Sequence, residues 1–174
     1  DRMTAVGAAA NGLPTMVFDG TDVHLWPLSA TINNMTTKLG LWLWFKPAAV
    51  AGVQTLIYGE IAAGGVATLN KLSVITNGDD ILIDVYITNV NGRRATLANV
   101  LVAGTWASIY VQYDSSRGGD ANVALYLNGV SQSLAFSNIG AGGTLGALQA
   151  PTGNLFLGGA SNSDTPTSPI TVGG

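Results

Sequence analysis

Three Asn-Gly pairs set between alternating β-rich runs constrain this chain more than any other feature. Asn and Gly accept the positive φ that a two-residue hairpin turn demands, so each pair predicts two antiparallel neighbours. Asn77-Gly78 joins LSVIT to DILIDVYIT, Asn91-Gly92 joins that run to RRATLANV, and Asn128-Gly129 joins VALYL to VSQSLAF. Further strands are predicted at PTMVF (14 to 18), DVHLW (22 to 26), 38 to 46, QTLIYGE (54 to 60), WASIYVQYD (106 to 114) and NLFLGG (154 to 159). That makes about ten short strands and no convincing helix. AAVAGV (48 to 53) has room for one helical turn, limited by Pro47 and Gly52. Hairpins without crossover helices predict an all-β, two-sheet antiparallel β-sandwich. At 174 residues the chain suits a single core, placed over residues 1–160, with 161–174 as an extended polar tail.

The run LGLWLWFKP (39 to 47) departs from the usual half-buried strand. Alternation puts Leu39, Leu41, Leu43 and Phe45 on one face and Trp42 and Trp44 on the other, so both faces are apolar. One face belongs to the sandwich core. The other has to meet a loop, a neighbouring subunit or a bound sugar.

Several segments together resemble the laminin-G-like and concanavalin A-like jelly-roll superfamily. They are Phe18-Asp19-Gly20 leading into DVHLWP, the strand LGLWLWFKP, GTWASIYVQYD, VALYLNGV and NLFLGG, in the family's order over roughly residues 14 to 160. The resemblance implies a jelly roll whose members include lectins, pentraxins, glucanases and surface modules. Two departures stand out. Family members commonly add a closing strand after the late glycines, where this chain runs into a Pro/Thr/Ser tail, and Trp42 occupies a position where they often carry a small or polar residue.

Composition excludes several functions. Seven scattered basic residues, a net charge of −3 and one adjacent pair, Arg93-Arg94, give no basic face for a phosphate backbone, so nucleic acid is not expected as a partner. The absence of cysteine removes disulfides and thiolate metal sites. No apolar run approaches membrane-spanning length and no signal-peptide pattern opens the chain, which starts at Asp1 as a processed, trimmed or partial chain would. Only 10% of residues are charged and 47% are apolar, against about a quarter charged in ordinary domains. So few charges suggest that part of the surface is covered by another chain, a ligand or an assembly.

Catalytic devices are missing from the pattern. Glycoside hydrolysis needs two carboxyl groups roughly 5 to 10 Å apart. The one glutamate is Glu60; Asp79 and Asp80 point to opposite faces, and Asp80 and Asp84 stand about 13 Å apart on an extended strand. His24, the only histidine, lies in a strand with no nucleophile elbow nearby. The glycine-rich stretch 138 to 153 is a loop, because phosphate-cradling fingerprints require a strand before and a helix after. For calcium, Asn77, Asp79, Asp80, Asp19 and Asp22 are the candidate oxygen donors, but the same residues are ordinary in tight turns. No enzyme activity, metal or cofactor is expected.

Binding is the expectation that remains, with Trp42, Trp44, Tyr86, Tyr110 and Tyr126 as the candidate contact residues. The leading expectation is a structural or assembly module, a virion or phage capsid decoration or fibre component. It would contact protein subunits, including copies of itself, through Trp42, Trp44, the 138 to 150 loop and the tail. The alternative is a lectin-like carbohydrate-binding module of a larger extracellular or surface protein, stacking a sugar on tryptophan.

Overall fold

The computed structural model describes residues 37–61, 69–87 and 91–148 together with strand segments at 5–8, 14–16, 18–19, 24–26, 155–157 and 171–172; side-chain surroundings are described for 37–57, 72–87 and 91–148. In chain order the strands are β1 (Ala5–Ala8), β2 (Pro14–Met16), β3 (Phe18–Asp19), β4 (His24–Trp26), β5 (Lys38–Phe45), β6 (Val53–Ile61), β7 (Leu69–Asn77), β8 (Asp80–Tyr86), β9 (Gly92–Leu97), β10 (Ala107–Asp114), β11 (Val123–Leu127), β12 (Val130–Ser131), β13 (Ala135–Ile139), β14 (Leu155–Leu157) and β15 (Thr171–Val172). No α-helix occurs among the described residues. A 3-10 turn, Gly119–Asn122, joins β10 to β11, and residues 48 to 53 form no helical turn.

Two antiparallel sheets form the sandwich. One has seven strands in the order β13-β9-β8-β7-β6-β14-β4, the other four in the order β12-β11-β10-β5. Two short pairs, β1 with β2 and β3 with β15, lie outside these sheets. The core forms where their inner faces meet. Leu72, Val74, Ile81, Ile83, Val85 and Ala95 come from the larger sheet, and Ile109, Val111, Tyr113, Val123 and Leu125 from the smaller. Alternation works as the sequence implies: Leu39, Leu41 and Leu43 pack against this core, and Phe45 belongs to it.

The hairpins hold with two changes of detail. Asn128 and Gly129 both take positive φ, 51° and 82°, as a type I′ turn requires. Between β7 and β8, Asn77 instead pairs with Asp80, so the turn residues are Gly78 and Asp79. Gly92 is not a turn residue. It sits inside β9 opposite Tyr86, and a Cβ there would strike the carbonyl oxygen of Val85, so the glycine serves close backbone approach. The run VSQSLAF, expected as one strand, divides into β12 in the small sheet and the start of β13 in the large one, carrying the chain from one layer to the other.

The loop after β13 is fastened inward. Leu145 and Leu148 are buried in the core, Asn122 Nδ2 donates to the Leu145 carbonyl at 3.1 Å, and the Tyr113 hydroxyl donates to the Gly146 carbonyl. Burial raises the Tyr113 pKa, with a hydrogen bond from Asn122 opposing. Arg93 bridges the layers: its Nε and Nη2 donate to the Asp120 carboxylate at 2.8 and 2.5 Å, and its Nη1 donates to Asn138 Oδ1.

Candidate functional site

The outer face of the four-stranded sheet answers the question raised by the two-sided strand. β5 pairs with β10 in a register that sets Trp42 opposite Tyr110 and Trp44 opposite Ser108. β10 pairs in turn with β11, setting Tyr110 opposite Tyr126. The chain then turns at Asn128, whose N–H donates to the Ser108 carbonyl at 2.7 Å while its Oδ1 accepts from the Ser108 N–H at 2.9 Å. Two rungs therefore cross the sheet side by side. One is aromatic (Trp42, Tyr110, Tyr126) and the other amphipathic (Trp44, Ser108, Asn128).

These residues with Gly129 line an open groove of about 540 Å³, within the usual range of small-molecule sites. Trp42 and Trp44 are 69% and 57% exposed, so neither indole enters the core. The orientation of Trp42 is nonetheless set. Trp42 Nε1 donates to Ser108 Oγ at 2.9 Å, leaning the ring along the strand toward the second rung. Tyr110 leans the opposite way: a Cβ at Gly40 would lie 2.9 Å from its hydroxyl oxygen, so glycine at 40 gives the ring room to lie down. The Tyr110 and Tyr126 rings are 5.8 Å apart and tilted by 43°. All four rings line the groove, and Trp42, Trp44 and Tyr110 are exposed there.

Of the five aromatic candidates the structure brings four together. Tyr86 is excluded, because it ends β8 in the seven-stranded sheet. Ser108 and Asn128 were not singled out from sequence. Their signals were present, Ser108 being two residues before Tyr110 on the same face and Asn128 heading the hairpin turn, but only the β5–β10 pairing shows that they border the tryptophans.

Of the remaining polar candidates, Asp79 through its backbone and Asp80 through its side chain are engaged locally. The Asp79 carbonyl accepts from the N–H groups of Val100 and Leu101, both at 3.0 Å, and Asp80 Oδ1 accepts from the Asn99 N–H at 2.9 Å. Among the described residues no group of three or more acidic or histidine side chains is arranged to hold a metal ion. The buried Asp84 is held in a two-bond pair with Arg94, at 2.6 and 2.7 Å, in the other sheet. His24 and Asp19 are described by backbone alone, and Asp22 lies outside the described residues.

No family model matches the chain, and no curated protein sequence matches it. Solved structures do. The chain is similar to the CBM40 of Ruminococcus gnavus IT-sialidase, with a TM-score of 0.59 and 16% identity over 90% of this chain and 80% of that one. The same module bound to alpha2,3 sialyllactose gives 0.57 and 15% identity over 82% and 74%. Domains LG4-5 of the mouse laminin alpha1 chain give 0.59 and 17% identity over 90% of this chain and 39% of that one. At such identities the likeness is one of fold. The chain shares the two-sheet antiparallel β-sandwich fold of these domains, the fold its sequence motifs imply.

Proposed function

We propose that this chain is a non-catalytic carbohydrate-binding module of lectin type, part of an extracellular or surface protein, with the outer face of the four-stranded sheet as its sugar platform. The observation that carries this reading is the pairing of the two rungs. A pyranose ring has an apolar C–H face and a rim of hydroxyls. The groove offers aromatic faces for the first, and the Ser108 hydroxyl, the Asn128 amide and the Trp44 indole N–H for the second. The structural likeness to a module solved with sialyllactose supports the class of ligand.

The same exposed aromatics support the second reading, a structural module that buries this face against other subunits of a capsid, fibre or similar assembly. The structural neighbours favour the sugar. Titration of the purified chain against a glycan panel, followed by tryptophan fluorescence, decides between them. A saturable response from a monomer is expected. A silent panel together with a stable oligomer by light scattering would reject the lectin reading in favour of assembly.

A further inference from the structure

We infer that the ligand of this groove is an uncharged saccharide, and that the site discriminates against acidic sugars; this rests on the sugar-binding reading above. Among the described residues seven line the groove (Trp, Trp, Ser, Tyr, Tyr, Asn and Gly), with no cation and no carboxylate among them. A bound carboxylate or sulfate is ordinarily met by a guanidinium or ammonium, and one brought against aromatic faces without such a partner loses hydration with no return.

The sheet's own charges are spoken for or set aside. On the same outer face, Lys38 stands four residues before Trp42, about 13 Å along the strand, and its ammonium lies 3.4 Å from the Asp114 carboxylate. Arg93 and Arg94, both on β9 of the other sheet, are bound to Asp120 and Asp84. Lys46, two residues beyond Trp44, is not among the lining residues. What the groove does offer is neutral hydrogen-bonding capacity. Among the described residues the Asn128 Nδ2 and Trp44 Nε1 donors have no protein partner, and the Ser108 hydroxyl, having accepted from Trp42, retains its own proton to donate. Such a set suits hydroxyl and ring oxygens. It differs in kind from what a sialylated ligand would require of this face.

The test is calorimetric titration of the full chain with two matched sets: lactose, cellotetraose and xylotetraose as neutral probes, and alpha2,3 sialyllactose and a galacturonate tetramer as acidic ones. At least one neutral probe should bind about tenfold more tightly than either acidic one. Its affinity should stay unchanged between about 0.01 M and 1 M salt, because no screened charge contributes. Lys46→Gln should leave that affinity unchanged. Tightest binding by an acidic probe, affinity that falls with salt, or loss of binding in Lys46→Gln would each overturn the inference while leaving the lectin reading intact. Failure of every probe, neutral and acidic, would reject both.

Discussion

Truncation of Trp42 separates a ligand platform from a core residue by magnitude. In Trp42→Ala the side chain removed is 69% exposed, so about a third of the roughly 200 Å² that a tryptophan brings to a core is at stake. At about 25 cal/mol per Å², that burial amounts to about 1.6 kcal/mol as an upper bound. The exposed hydrogen bond from Nε1 to Ser108 adds about 1 kcal/mol at most, and water replaces much of it. The expected cost is therefore about 1 to 2 kcal/mol, against about 3 to 5 kcal/mol for a tryptophan lost from a packed interior. Binding should respond in the opposite proportion. An aromatic anchor at the centre of a contact commonly contributes about 2 kcal/mol or more, so affinity for the best glycan should fall by about thirtyfold. Urea denaturation followed by circular dichroism reads the first quantity and calorimetric titration the second. A variant that unfolds as a buried tryptophan would, or that keeps wild-type affinity, refutes the placement of Trp42 as a stacking surface.

Four further changes probe the scaffold. Leu125→Ala, at a fully buried position of β11, should cost about 2 to 5 kcal/mol in urea denaturation, and a smaller loss would mean the site collapses on itself. Asp84→Ala leaves Arg94 without its carboxylate; with that guanidinium partly exposed, the loss should lie near the low end of about 3 to 5 kcal/mol, and replacing both partners by apolar residues should recover much of it. Gly92→Ala puts a methyl group against the Val85 carbonyl and should destabilise by about 1 to 3 kcal/mol, with thermal melting as the readout. The Asp114 carboxyl is held below the usual carboxylate range by the Ser116 hydroxyl first, then by the Ser116 N–H, with desolvation opposing and Lys38 assisting. A depressed folded-state pKa stabilises fully above the unfolded value of roughly 3.9, and that contribution is lost as pH falls through the lower folded value. Ser116→Ala should therefore flatten the acid limb of the stability profile, and an unchanged limb would show that Asp114 does not contribute to it.

The elements legible in the sequence are those whose information is local. Period-two alternation assigns the inner and outer faces of β5, β10 and β11, and the Asn128-Gly129 turn is written in residues that accept positive φ. Illegible features depend on partners distant in the chain. Asn91-Gly92 has the same letters as a turn, yet Gly92 is required by the closeness of the neighbouring backbone, which no local pattern announces. The division of VSQSLAF between two sheets has no glycine or proline to mark it. The Gln132 N–H instead donates back to the Leu125 carbonyl at 2.9 Å as the chain leaves β12. In the sequence alone Tyr86 is indistinguishable from the other aromatics, because each lies on a strand. Hairpin connectivity already made β8 a neighbour of β7 and β9, but nothing local says that β5 pairs with β10 across more than sixty residues.

That long-range pairing also explains why an apolar outer face on β5 does not by itself identify a second core. The inner positions of the strand are Leu, Leu, Leu and Phe, side chains with no polar atom, and they sit where no hydrogen bond is on offer. The outer positions are tryptophans, each carrying one donor on a large apolar body, and across the sheet they face Ser, Tyr, Tyr and Asn, which each pair apolar or aromatic surface with a polar end. Trp42 Nε1 already donates to Ser108, and Asn128 Oδ1 already accepts from the Ser108 N–H. A surface meant to vanish inside a packed interior would still leave the remaining donors, Trp44 Nε1 and Asn128 Nδ2, buried and unpaired at about 1 to 3 kcal/mol each. A face that meets an amphipathic, hydroxylated partner uses both halves of every residue. The chemical type of the outer residues, more than their hydrophobicity, therefore distinguishes a binding platform from a hidden layer, and a glycan-free dimer that buries the four rings without satisfying their polar ends would contradict it.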